Sequence, residues 1–235
     1  MLELRAVRKH FAGPNGEPVR AVDDVSFTVA SGELVAIYGP SGSGKSTLLM
    51  LAAGITRPDA GVVLFEGTDL ASFSRRAAAR HRAASLGFVF QSSRLVPGLS
   101  AIDNAALKLM AGGAGRAEAR RRVAPLLDRL GLEARADHRI DQLSRGERHR
   151  VSIARALSND PRVVLADEPT GSLDSQRSRE VLALLTEVCK ERDVAVVLVT
   201  HDPIGAQFAD RTHTLRDGRL LANRGPDPIA VPPAR

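Results

Sequence analysis

The octapeptide GPSGSGKS, residues 39–46, decides the fold. It has the G-x-x-x-x-G-K-[ST] spacing, follows the apolar run ELVAIY and precedes a segment, 46–53, that reads as a helix. In that strand–loop–helix setting Gly39, Gly42 and Gly44 let the backbone curl without Cβ clashes, so successive N–H groups converge on a nucleotide phosphate. Lys45 is placed to reach the β- and γ-phosphates, Ser46 to ligate Mg²⁺, and Thr47 to offer a further N–H where the helix dipole favours an anion. Pro40, Ser41 and Ser43 complete the loop that would surround the phosphates.

Working outward, strand and helix patterns alternate on both sides of this loop. Residues 2–11 read as a strand, and 21–39 as two more separated by a Ser31-Gly32 turn. A strand is expected at 61–67, a helix at 75–85 and a strand at 86–90. Beyond the Pro97-Gly98 turn, helix follows helix at 101–111, 116–130 and 145–158. The apolar run 163–167 has the character of a parallel strand covered on both faces. A helix at 175–191, a strand at 194–200 and two short strands at 212–216 and 219–222 close the pattern. The result is an α/β core (about 1–91 and 160–223) with a helical subdomain inserted at about 92–159, together one domain over 1–223. The proline-rich tail 224–235 is expected to be irregular.

A second constellation belongs with the phosphate loop. The strand 163–167 delivers Asp167 and Glu168 at its C-terminal end, where Asp167 can hold Mg²⁺ and Glu168 can polarise an attacking water. Alone, an Asp-Glu pair after a strand also reads as a helix start. Gln91, ending another strand, is a candidate contact for Mg²⁺ and the water, and His201, ending the strand 194–200, for the γ-phosphate. The 235-residue chain has 43% hydrophobic and 26% charged residues, as a folded domain does. It has no apolar run long enough to span a bilayer. Met1 leads straight into a strand pattern, and Cys189 is the single cysteine, so a cytoplasmic chain without disulfides is expected.

These residues resemble the nucleotide-binding subunit of an ATP-binding cassette (ABC) transporter, with the fold of a P-loop NTPase core of ABC type carrying an antiparallel β subdomain and an inserted helical subdomain. The elements occur in the family's order: phosphate loop, Gln91, LSRGE at 143–147, LADEP at 165–169, SLD at 172–174 and Thr200-His201. The resemblance implies ATP and Mg²⁺ as ligands and a head-to-tail homodimer in the ATP-bound state. Each nucleotide would lie between the phosphate loop of one copy and Ser144, Arg145, Gly146 and Glu147 of the other, with Asp174 contacting the opposite copy. Phe11, in the context RKHF, matches the family's adenine platform; core packing is the other reading. Tyr38 reads as sheet packing.

The signature departs from the family's usual Leu-Ser-Gly-Gly-Gln at Arg145 and Glu147. If Arg145 occupied glycine-only dihedrals it would strain the loop by about 1–2 kcal/mol; if helical, it would lie over phosphate or point to solvent. The runs RHRAASLGFVFQ and ADEPTGSLDSQ are similar to the lipoprotein-release, macrolide-export and cell-division branch. That branch implies a separate transmembrane permease docking on a coupling surface at about 91–109 and a peripheral place on the cytoplasmic side of the inner membrane. Leu95, Val96, Leu99 and Ile102 are candidates for that groove or for ordinary helical core. A regulator of cell-wall hydrolysis with no transported solute would use the same ATPase.

Lys45 and Ser144 are only 99 residues apart, which leaves no room for the long coiled coil of DNA-repair ABC ATPases. The formal charge is +6, yet residues 70–150 carry 16 Lys or Arg against 7 Asp or Glu. No aromatic-basic interleaving or reading motif accompanies them, which argues against nucleic acid. The basic residues, among them Arg75, Arg76, Arg80, Arg120, Arg121 and Arg122, read either as a face toward anionic lipid or as solvated helix surfaces.

Overall fold

The computed structural model describes residues 1–13, 16–171 and 173–221. The expected irregular tail, 224–235, and Ser172 of the SLD element lie outside the described residues. Ten strands and seven α-helices follow in chain order among the described residues: β1 (Leu2–Ala12), β2 (Pro18–Val29), β3 (Leu34–Tyr38), α1 (Lys45–Ala52), β4 (Ala60–Phe65), β5 (Thr68–Asp69), α2 (Arg75–Ser85), β6 (Leu86–Val89), α3 (Ala101–Ala111), α4 (Arg116–Arg129), α5 (Arg145–Leu157), β7 (Val163–Asp167), α6 (Ser175–Glu191), β8 (Ala195–Thr200), α7 (Pro203–Ala206), β9 (Arg211–Arg216) and β10 (Arg219–Leu221).

Two sheets result. β2, β1, β4 and β5 form an antiparallel sheet in that order, and β10-β9-β3-β8-β7-β6 a larger one. In the larger sheet β9, β3, β8, β7 and β6 run parallel, so their C-terminal ends share one edge. Ligands of open α/β sheets bind at that edge, near the point where the chain reverses its order through the sheet. Alternation along the central strands divides the interior. Leu34, Ala36, Val164, Ala166, Val196 and Leu198 face a core shared with α3, α4, α5 and α6. Val35, Ile37, Val163, Leu165, Val197 and Val199 face a second core, shared with α1 and the antiparallel sheet. The two-sided burial explains why β7 and β8 read as unbroken apolar runs.

The helical insert is tied to the sheet by polar anchors. Ser100 caps α3 and Ser74 caps α2, each hydroxyl accepting a first-turn N–H. Buried Asp103 accepts hydrogen bonds from Arg116 at 2.7 and 3.0 Å and from Ser100 at 2.7 Å, with Arg120 close by. Lys108 of α3 donates to the Leu86 carbonyl and to Asn159 Oδ1, and burial pushes its ammonium down to about 8.

The structure bears on three readings that the sequence left open. Ile102 is buried in the helical core and is no groove residue. Val96 is exposed, and Leu95 is partly buried against that core. Of the basic residues, Arg120, Arg121 and Arg122 face the carboxylates of Asp103 and Asp137, Glu118 and Asp160, so that part of the charge is matched within the fold. Arg75, Arg76 and Arg80 remain exposed on α2, a helix with no buried residue.

Candidate functional site

A cavity of about 1360 Å³ opens at the shared C-terminal edge of the parallel strands. The turn after β3 supplies its floor. Gly42 and Gly44 have φ of 81° and 102°, in the region that favours glycine. A Cβ on Gly44 would lie 1.9 Å from the Ala21 carbonyl oxygen, and one on Gly39 would lie 2.3 Å from that of Leu215. The loop is therefore clamped between β2, β9 and the β9–β10 turn, and Gly218 N–H donates to the Ser43 carbonyl at 3.1 Å. Gly44 caps α1 without a side chain, leaving the first-turn N–H groups free toward the cavity.

Two features of the loop fit an anion there. Lys45 is buried, and its ammonium donates to the Gly39 and Pro40 carbonyls at 2.7 and 2.9 Å, poised above the loop's N–H groups. Ser43 Oγ is buried and unpartnered. Pro40, Ser41, Gly42, Gly44, Lys45, Ser46 and Thr47 all line the cavity. The neighbouring donor set suits a hard divalent cation, which takes oxygen ligands and keeps part of its shell for phosphate oxygens and water. Ser46, Asp167 and Gln91 all open on the same space. Burial raises the Asp167 carboxyl, the neighbouring Ser46 opposes that, and Glu168 beside it raises it further.

Glu168 is the most constrained side chain of the site. It is 6% exposed and sits at φ 49°, a left-handed conformation rare for a non-glycine residue. Its N–H is held by the Val199 carbonyl at 2.9 Å. One carboxylate oxygen accepts from the Thr200 hydroxyl at 3.2 Å and the His201 N–H at 3.3 Å. The other lies 2.9 Å from His201 Nδ1 and 3.7 Å from Lys45 Nζ. Adjacent strands β7 and β8 thus aim Glu168 and His201 at one point above Lys45.

The far wall was not anticipated. Val19, Arg20 and Ala21 of β2, with Arg216, Asp217, Arg219 and Leu221 of the last hairpin, line the cavity opposite the phosphate loop. Arg219 reaches Asp23 at 2.7 and 3.0 Å, which holds that carboxylate below its usual range. Phe11 is 46% exposed at the rim, with Lys9 Nζ 5.6 Å from its ring, so it is not core. Tyr38 also lines the cavity, in addition to its place in β3.

Ser144, Arg145, Gly146, Glu147 and Asp174 are not among the cavity residues. Ser144 begins α5 in a reciprocal cap: its hydroxyl accepts from Glu147 N–H at 3.2 Å, and Glu147 accepts from Ser144 N–H at 2.7 Å. Glu147 closes this cap through an acceptor oxygen, an atom that an amide side chain also carries, and the Ser144 hydroxyl keeps its proton to donate. Arg145 is the first residue of α5 with no positive φ, so glycine-only dihedrals are not required and the strain considered above does not arise. Gly146 is buried, and a Cβ there would meet Leu173 at 3.4 Å, an ordinary contact. Asp174 is exposed and caps α6 by accepting from Arg177 N–H.

A model described as ABC transporter matches residues 22–171. The chain belongs to the ABC transporter family. This cassette is 44% identical over 224 residues to the lipoprotein-releasing system ATP-binding protein LolD 2 of Caulobacter vibrioides, covering 95% of this chain and 98% of that one. It is 48% identical over 213 residues to the macrolide export ATP-binding/permease protein MacB of Rhodospirillum rubrum, covering 90% of this chain and 33% of that one. A MacB 2 of Aeromonas hydrophila is 43% identical, and the cassette spans 36% of its length. The chain thus spans about a third of the MacB relatives and nearly all of the LolD relative. Among solved structures, the dimeric bacterial cassette MJ0796 superposes with a TM-score of 0.88 at 37% identity, covering 94% of this chain and 97% of that one. No helix among the described residues is long and apolar enough to cross a membrane.

Proposed function

We propose that this cassette hydrolyses ATP as the motor subunit of a membrane transport complex of the exporter or mechanotransmission type. The observation that carries the reading is the convergence of Lys45, Glu168 and His201 on one point of the cavity. Glu168, held by Thr200 and His201, orients a water and takes its proton, a role that a buried carboxylate in hydrogen-bond reach can fill. Lys45 leaves its two carbonyl acceptors for the phosphates, and His201 steadies the transferred group. Ser46, Gln91 and Asp167 would hold Mg²⁺, which neutralises charge developing on the phosphate oxygens. Phe11 offers its exposed face to the adenine ring.

Ser144 to Glu147 and Asp174 would complete the site of a second copy. Their separation from the cavity, the exposure of Ser144, Arg145 and Asp174 at helix starts and the dimeric state named for MJ0796 support a head-to-tail homodimer in the ATP-bound state. A permease would dock beside Gln91, where Ile55, Phe88 and Phe90 line a cavity of about 280 Å³ rimmed by Arg82, Arg94 and Lys108. The cassette would then sit peripherally at the cytoplasmic face of the membrane. The names of the LolD and MacB relatives favour transport over a purely regulatory role. Light scattering of the Glu168→Gln protein tests the dimer: saturating ATP and Mg²⁺ should convert monomer to dimer, and a persistent monomer contradicts it. Co-purification from membranes should recover a permease.

A further inference from the structure

Three side chains surround the carboxylate of Glu168, and they differ in how they are held. Lys45 Nζ lies 3.7 Å from Oε1, and His201 Nδ1 lies 2.9 Å from it. On the hydrolytic reading both turn to the phosphates once ATP is bound, and the His201 side chain, 62% exposed, has room to do so. Thr200 has none. The residue is 1% exposed, and its hydroxyl meets Oε2 at 3.2 Å. The same hydroxyl accepts the Asp202 N–H at 2.9 Å, so its single proton is left for Glu168. His201 adds its backbone N–H to Oε2 at 3.3 Å. Oε2 is thus the held oxygen, and Oε1 is the one on the side of Lys45 and His201.

What fixes the hydroxyl comes from α7. Asp202 caps that helix, its Oδ1 accepting from Ile204 N–H at 2.9 Å, which pins the N–H that Thr200 accepts. Ile204 and Phe208 pack on the helical core and hold the segment down. Gly205 is buried in α7 beside the Thr200 methyl. A Cβ on Gly205 would lie 2.8 Å from Thr200 Cγ2 and 3.2 Å from Leu198 Cδ2. Its φ is not positive, so space and not backbone conformation calls for glycine here. Leu198 Cδ2 is the end of a flexible side chain and can give. Thr200 is β-branched and stiff about χ1, and a rotation that moves Cγ2 away swings Oγ1 off Glu168.

We propose that Thr200 and Gly205 are positioning residues for Glu168. Gly205 leaves the space that holds the Thr200 rotamer, and the Thr200 hydroxyl keeps Oε2 in place so that Oε1 faces the attacking water. The inference rests on the reading of Glu168 as the base. In that step Oε1 takes one proton of the water, the water oxygen bonds to the γ-phosphorus, and the bond to the ADP oxygen breaks with its electron pair leaving on ADP. Neither Thr200 nor Gly205 lines the nucleotide cavity. Their loss should therefore leave ATP binding intact and slow the chemical step, because a base displaced from its productive geometry loses rate.

Steady-state hydrolysis of Mg²⁺-ATP by the full chain, with its permease where one is recovered, tests this through paired substitutions, at a temperature well below the melting point of every variant. Thr200→Val keeps the shape and removes the hydroxyl; it should lower kcat at least tenfold with KM within twofold of the wild type. Thr200→Ser keeps the hydroxyl and removes the methyl; its kcat should fall less than threefold. Gly205→Ala should lower kcat at least fivefold beside Thr200 and less than twofold in the Thr200→Ser background, where no methyl stands in its way. That pair decides the matter should Thr200→Val fail to fold. Thr200→Val turning over at the wild-type rate, a raised KM with kcat kept, or an equal loss from Gly205→Ala in both backgrounds overturns the inference. Wild-type turnover that Glu168→Gln leaves intact overturns the reading of Glu168 as the base, and the two failures are thereby told apart.

Discussion

Replacing Gly44 by alanine should damage nucleotide binding far more than the same change at Gly42. Both glycines have positive φ, 102° and 81°, so each alanine incurs about 1–2 kcal/mol of backbone strain. The difference lies in space. Nothing stands within 4 Å of a Cβ on Gly42, whereas a Cβ on Gly44 would sit 1.9 Å from the Ala21 carbonyl oxygen and 3.1 Å from its carbon. That obstacle is backbone of β2 and has no rotamer to escape through. Relief requires the loop to lift away from β2, which spoils the convergence of its N–H groups. An overpacking cost of about 1–3 kcal/mol corresponds to a further 5- to 150-fold loss in affinity. Calorimetric titration of ATP with Mg²⁺ into the two variants, beside the wild-type chain, measures this directly. Affinities of Gly44→Ala and Gly42→Ala within twofold of each other would refute the claim that β2 clamps the loop.

Other changes probe other parts of the account. Phe11→Ala should weaken ATP two- to tenfold, the worth of an aromatic stack of about 0.5–1.5 kcal/mol, while Phe11→Tyr should leave the affinity and the melting temperature unchanged. Because Arg145 is helical, Arg145→Gly should relieve no strain and should lower stability by about 1 kcal/mol in denaturant titration. Asp103→Asn should cost about 1.5–3 kcal/mol, the worth of hydrogen bonds to a charged group. The Arg116 hydrogen bonds hold the Asp103 carboxyl below its usual range, so its contribution is complete above the unfolded carboxylate range near 3.9 and is lost as pH falls through the lower folded value. Wild type and Asp103→Asn should therefore differ by a constant amount near neutrality and converge in acid.

The phosphate loop, the strand ends and the order of helices were legible because each is written locally. Gly44-Lys45-Ser46, the apolar run of β7 and the boundaries of α2, α3 and α6 depend on a few neighbouring residues. What sequence did not reveal depends on contacts between distant segments. Asp23 N–H meets the Gly218 carbonyl at 2.8 Å and Gly218 N–H meets the Ser43 carbonyl at 3.1 Å, long-range contacts that bring Arg219 to the nucleotide cavity. Thr200 looked like a strand terminus; its hydroxyl matters because β7 lies beside β8 and turns Glu168 toward it. The short α7 opens with Pro203 at its first position, where a missing N–H costs nothing, and forms despite Gly205 because Asp202 caps it. Phe11 and Ile102 show the limit from the other side: apolar character alone could not say that one stays at a rim and the other enters the core.

The most direct test of the central claim is single-turnover hydrolysis of Mg²⁺-ATP by the wild-type chain and by Glu168→Gln, with its permease present where one is recovered. Removing the carboxylate that takes the proton should slow phosphate formation by about 10²–10⁴-fold while ATP binding is retained. A Glu168→Gln chain that forms phosphate at the wild-type rate would contradict the account.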